Sequence, residues 1–216
     1  VVGSESWFVY ALDPAPHARA GTRSPTQEAR RKMRPPQPTR GGYLGSMTRV
    51  LDALLHFFPK TATFRLVTDG HDAYARALAR PRFRDRVKHA VYPNPKRGPK
   101  GSPRSAAARQ RDEAMFPNDL WHMILRHSEA HHRRETIAFD RRTNAILERL
   151  YLAAARRNFV KGVSERKPDR TTPAMRLGLA AEPWSWPRVL ARRLFPGRIR
   201  VPKSWLEVYR REWTTP

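Results

Sequence analysis

The sequence predicts an α/β fold, and three observations carry that prediction. Short aromatic and β-branched runs, "WFVYAL" (Trp7 to Leu12), "TFRLVT" (Thr63 to Thr68) and "VKHAVY" (Val87 to Tyr92), have the composition of strands. They alternate with longer segments whose apolar residues recur at helical spacing, the order that builds a sheet flanked by helices. The apolar run at 63–68 also stops on Asp69 with Gly70 behind it, the sequence of a strand handing over to a helix at a sheet edge.

Taken in order, the first strand ends at Asp13-Pro14, a turn-forming pair. Residues Ala15 to Gly42 read as loop, with Pro and Arg scattered through "PPQPTRGG". From Leu44 to Phe58 the residues Leu44, Met47, Val50, Leu51, Leu54, Leu55 and Phe58 share one helical face, and Pro59 stops the helix. The second strand follows, then a short helix over Asp72 to Leu78 and the third strand. Pro93 to Asp112 carries six basic residues against one acid and reads as a flexible cationic loop inserted in the fold. Helical spacing returns over Asn118 to His132 and Thr143 to Val160. The expected division is a core over residues 1–165 and an irregular Trp- and Arg-rich extension over 166–216.

Charge bounds the function. The 43 Lys+Arg against 19 Asp+Glu leave +24, and the isoelectric point is about 11.6. Such an excess repels itself in a folded chain and is offset by a polyanion, so nucleic acid is the expected partner. With 39% hydrophobic residues a real core is available. Cysteine is absent, which excludes disulfides and Cys-ligated zinc and fits a reducing cytoplasm. No apolar run approaches the roughly 18 residues of a membrane span. The opening "VVGSESWFVY" has neither a signal-peptide pattern nor an initiator Met, so a piece of a longer protein is expected.

Three aspartates are candidates for chemistry. A carboxylate ending a buried strand is costly to desolvate unless a metal or a cap compensates it, so Asp69 reads either as a metal ligand or as the cap of the next helix. Asp119 opens a helical segment seven positions before Arg126, where the helix dipole alone also favours an acid. Asp13 is a candidate ligand or simply the first residue of a turn.

The order "WFVYALD", "LGSMTRVLDALLHFF", "RLVTDGHDAY", "DLWHMILR", "RRETIAFDRRTNAILERLYLAAARRNFVKG" and "TTPAMRLGLA" resembles the catalytic part of DDE-type bacterial insertion-sequence transposases. The resemblance spans most of residues 7–180, and "NFVK" with "TPAM" is its most distinctive piece. It implies an RNase H-like mixed sheet flanked by helices and a site for two Mg²⁺ or Mn²⁺ ions. Asp69 takes the place of the family's second aspartate, with Tyr74 in the helix behind it. Asp119 takes the place of the third acid, where the family usually has Glu. The first acid is either Asp13 or a residue upstream of Val1, with Glu129, Glu135 and Glu148 as further acids near the third position. The implied activity is DNA cleavage and strand transfer in the bacterial or archaeal cytoplasm, at the nucleoid, by a homo-oligomer. A catalytically inactive remnant that only binds nucleic acid is the rival reading.

Phosphate contacts are expected from Lys96, Arg97, Lys100, Arg104, Arg109 and Arg111 in the cationic loop, and from Arg126, Arg133, Arg134, Arg141 and Arg142 beyond it. His127 and His131 stand four apart, a zinc-pair spacing on a helix, but the H-E-x-x-H pattern is missing. Trp184, Trp186, Trp205 and Trp213 suit either base stacking or packing of the tail onto the core.

Overall fold

The computed structural model describes residues 1–15, 22, 24–33, 42–96, 98–99, 101–132, 143–164, 166, 170–192 and 203–211. Its centre is a strand–helix–strand unit. Strand β1 (Phe64–Thr68) pairs in parallel with β2 (Val87–Val91), from Phe64 beside Val87 to Thr68 beside Val91. Parallel strands need a crossover, and α3 (Asp72–Leu78) and α4 (Pro81–Arg84) supply it. Helix α1 (Pro25–Lys32) precedes this unit, in a region the sequence reads as loop. Helix α2 (Gly42–Phe57) packs on α3 and closes the main core through Met47, Val50, Leu51 and Leu54 against Leu66, Ala77, Leu78, Phe83 and Val87. Two-residue alternation puts Leu66 and Thr68 on that core face, and Arg65 and Val67 on the opposite one.

The run at 7–12 is extended but is not a strand of this sheet. It folds back on Val1 to Gly3 as a hairpin, with Gly3 N–H donating to Phe8 O at 2.9 Å, Tyr10 N–H to Val1 O at 3.0 Å, and one bridge between Val2 and Val9. Its outer edge is taken by a side chain. Asn158 Oδ1 accepts from Val9 N–H at 2.8 Å, and Asn158 Nδ2 donates to Val9 O at 2.9 Å. The amide of Asn158 thus stands in for the backbone of a missing neighbouring strand.

Helix α5 (Ala106–Ser128) starts within the expected cationic loop, at the N-cap Ser105, whose hydroxyl accepts from Ala108 N–H at 3.2 Å. It runs through Pro117, which removes one helical N–H. A 3-10 turn (Ala130–His132) ends it, and α6 (Thr143–Ala155) passes into a π-turn over Arg156–Val160. Trp121 and Leu125 of α5 meet Val9 and Ala154 in a second core. Helix α7 (Pro173–Arg176) packs on the π-turn, followed by α8 (Trp186–Ala191) and α9 (Lys203–Tyr209). Trp184 stacks on Phe159 at 4.6 Å and Trp205 lies 5.2 Å from Phe57, so the packing role holds for these two. Trp213 lies outside the described residues. The architecture is a helix-rich α/β fold with a small parallel sheet. Among the described residues, no helix is long and apolar enough to cross a membrane.

Candidate functional site

Both strands of the pair end at one edge, and that edge is built tightly. Thr68 is buried, with Oγ1 2.8 Å from His89 Nε2 and accepting from Gly70 N–H at 3.3 Å. Tyr92 N–H donates to Thr68 O at 2.9 Å, extending the ladder by one residue. Gly70 turns the chain with φ of +90°, and a Cβ on it would lie 2.9 Å from Val91 Cγ1. Only glycine satisfies both the angle and the approach.

That turn leaves Asp69 half-buried at the edge. Its one described hydrogen bond is long, His71 N–H to Oδ1 at 3.4 Å. The cap of α3 is His71, not Asp69: Nδ1 accepts from Ala73 N–H at 3.2 Å. Tyr43 and Tyr74 flank His71, with ring centroids 4.9 and 6.1 Å away. Burial raises the Tyr74 phenol, and the charge of Asp69 and then Tyr43 push it further.

Asp119 sits mid-helix on α5, not at a helix start as its sequence context suggests, and α5 packs against β1. Its carboxylate is held by Arg111, two turns earlier on the same helix, through Nη1 to Oδ2 and Nη2 to Oδ1. Burial and then the charge of Arg126 lower the pKa of neighbouring His122, with Asp119 opposing them. Arg111 also lines an open cleft of about 480 Å³ with Tyr92, Pro93, Asn94, Pro95 and Gln110. Arg65 Nη2 donates to Tyr92 Oη at 2.9 Å beside it. The cleft therefore joins the end of β2 to α5, the place where α/β proteins put their ligands.

Asp13 is elsewhere and differently employed. Its carboxylate takes two bonds from Arg49, Nε to Oδ1 at 2.9 Å and Nη2 to Oδ2 at 2.7 Å, and its side chain is only 7% exposed. The backbone oxygen of Asp13 accepts from Ser46 Oγ at 3.3 Å, so the residue ties the hairpin to α2. Tyr151 Oη donates to Leu12 O next door, and burial, aided by Asp13, pushes its phenol up to about 12.

The residues fit a divalent metal in part. Asp69 offers hard oxygen donors with little competition, which suits Mg²⁺ or Mn²⁺. Asp119 fits only when Arg111 lets go of it. Among the described residues, no group of three or more His, Asp or Glu is placed to hold an ion. The zinc-pair spacing does not survive folding: α5 ends at Ser128, so His127 is helical while His131 lies in the following turn beside Arg149. Glu148 is bound by Arg211, at 2.8 and 3.2 Å.

Of the expected phosphate contacts, Lys96, Arg109 and Arg126 are exposed, Arg104 is paired with Asp112, and Arg111 is held as described. Arg97, Lys100, Arg133, Arg134, Glu135, Arg141 and Arg142 lie outside the described residues.

One functional candidate has no counterpart in the sequence reading. Arg157 is 6% exposed, in the π-turn, with Nη2 buried and unpartnered. Its position continues the spacing of buried Leu147, partly buried Leu150 and buried Ala154, so helical phase was the signal that marked it. No protein-family model, curated protein or solved structure matches the chain.

Proposed function

We propose that this chain is the RNase H-like catalytic part of a DDE-type insertion-sequence transposase, acting on DNA by metal-dependent cleavage and strand transfer. The observation that carries the reading is the Asp69 edge. A parallel strand delivers a lightly bonded carboxylate before an obligatory glycine turn, and the end of its partner strand opens on a cleft lined by Arg111 and by Tyr92, to which Arg65 donates. The charge of +24 supports a polyanionic substrate. In this reading Asp69 and Asp119 hold Mg²⁺ or Mn²⁺, which when bound supplies Lewis-acid stabilisation of a phosphodiester oxygen. Asp13 serves as the first acid only when Arg49 releases it, and the active form is a homo-oligomer on the element's ends.

The experiment is a nicking assay on supercoiled DNA with Mn²⁺, comparing the parent with Asp69→Ala. The reading expects nicks that the variant loses. Retained nicking in Asp69→Ala, or DNA binding with no nicking by either protein, defeats it. The second of those outcomes is what the rival reading expects, a binder descended from a transposase. One observation favours that rival: Asp13 and Asp119 are each neutralised by an arginine.

A further inference from the structure

The buried Arg157 has no described counter-charge. It lines the floor of a cleft between the last turn of α5 and the π-turn, with Trp121, Leu125 and Ala153 as the apolar walls. Its guanidinium lies 5.8 Å from the Trp7 ring centroid, and that of Arg176 lies 4.8 Å from the same ring. A cation over an indole recovers only a small part of what burying an unpaired charge costs. Arg176 worsens the balance, since burial and then its like charge both disfavour the charged form of Arg157. Arginine does not escape by losing its proton, so an anion is the missing component.

The cleft has the parts to take one. Arg156, Lys161 and Ser128 line it along with Arg157, and a π-turn is a common device for aiming side chains at a ligand. The whole cleft offers about 20 Å³, room for one water, which can bond Nη2 but brings no charge, so an anion seats at its mouth. Glu129 is the one carboxylate among the described lining residues, and it makes no ion pair with Arg157. Among the described residues no counter-ion is placed for Arg157, and an external anion can take that role. On a chain of charge +24 the anion most consistent with the whole surface is a phosphate of a nucleic-acid strand.

We propose that this cleft is an oxyanion site, with Arg157 at its floor and Arg156 and Lys161 at its rim, which takes a phosphodiester group of bound nucleic acid. The assignment does not depend on whether the chain cuts DNA. Seating the anion compensates a charge for which the described residues place no counter-ion.

The test uses Arg157→Met, which keeps the side chain's length and apolar packing without its charge. Thermal unfolding is followed in chloride and in inorganic phosphate at matched ionic strength. In chloride the variant should match or exceed the parent. Phosphate at roughly ten times its dissociation constant should raise the parent's folding equilibrium about elevenfold, a Tm gain of about 3–5 °C, and move the variant by less than half of that. A variant less stable in both buffers, with an equal phosphate response, overturns the site and makes Arg157 a packing residue.

A second readout keeps this independent of folding. The Nε–Hε NMR resonance of Arg157, assigned by its loss in Arg157→Lys, should shift with phosphate and with a twelve-nucleotide single strand. A shift with phosphate alone overturns the nucleic-acid source. In Glu129→Gln both shifts should persist, and their enlargement together with a stability loss in chloride would identify Glu129 as the counter-ion and overturn the proposal.

Discussion

Replacing Asn158 with Ala removes both hydrogen bonds to Val9, at 2.8 and 2.9 Å, and leaves a buried N–H and a buried C=O without partners. Each orphaned group costs about 1–3 kcal/mol. Because a small cavity can admit water to one of them, the sum expected is about 2–4 kcal/mol. Urea unfolding at an m of about 2–3 kcal/mol/M should then show the midpoint falling by about 1–2 M, with the slope unchanged. Asn158→Asp sharpens the test. The new carboxylate can still accept from Val9 N–H, but it faces the Val9 carbonyl oxygen where an amide donated. Its folded pKa must therefore lie above the unfolded value of about 3.9. A raised folded pKa contributes stability that is present below the unfolded pKa and lost as pH rises through the folded one. The aspartate variant should thus lose little near pH 3.5 relative to the parent, and most at pH 7. A loss below about 0.5 kcal/mol for the alanine variant, or an aspartate penalty that does not change with pH, refutes the idea that this amide replaces a strand.

Other expectations follow from the same geometry. Gly70→Ala meets Val91 at 2.9 Å with φ at +90°, so it should lose about 1–3 kcal/mol in chemical denaturation. The ring of His89 has its pKa lowered by burial. Stability should accordingly be full above the unfolded value near 6.5 and fall as pH drops toward the folded pKa, and His89→Gln should flatten that part of the stability–pH curve. Affinity for a random DNA duplex should drop by at least about tenfold between roughly 50 and 200 mM salt, measured by fluorescence anisotropy, if three or more phosphates are contacted. A flat salt response would contradict the polyanion argument.

Much of the fold was legible because burial writes a period into the chain. Leu51, Leu54, Leu66 and Val87 sit where their spacing put them, and Asp72–Leu78 is a helix over the expected range. Helix α5 was legible only in its second half. Pro117 reads as a boundary, and Ala106 to Asp112 has too few apolar residues to reveal a stripe, whereas in the structure Ala108 and Met115 suffice to bury that face. The hairpin escaped because its partner, Val1 to Gly3, is too short to show a period of two. The strand-Asp-Gly order was enough to put Asp69 at the end of β1, before the glycine turn. The arginines holding Asp13 and Asp119 were not readable, because a pairing 36 or 8 residues away leaves no local periodicity. Arg157 carries the helical phase of Leu147 and Ala154, but beside Arg156 it reads as one more surface cation.

The amide clasp also sets an order of events during synthesis. Val9 and Asn158 are 149 residues apart, and at about 5–20 residues per second the ribosome takes roughly 7–30 s to travel between them. Residues 42–91 carry their own helix-strand contacts and can condense early in that interval. The hairpin, with Trp7, Phe8 and Val9, must wait for the π-turn to emerge. For those seconds its apolar edge is a surface that a chaperone can hold and a neighbouring nascent chain can capture.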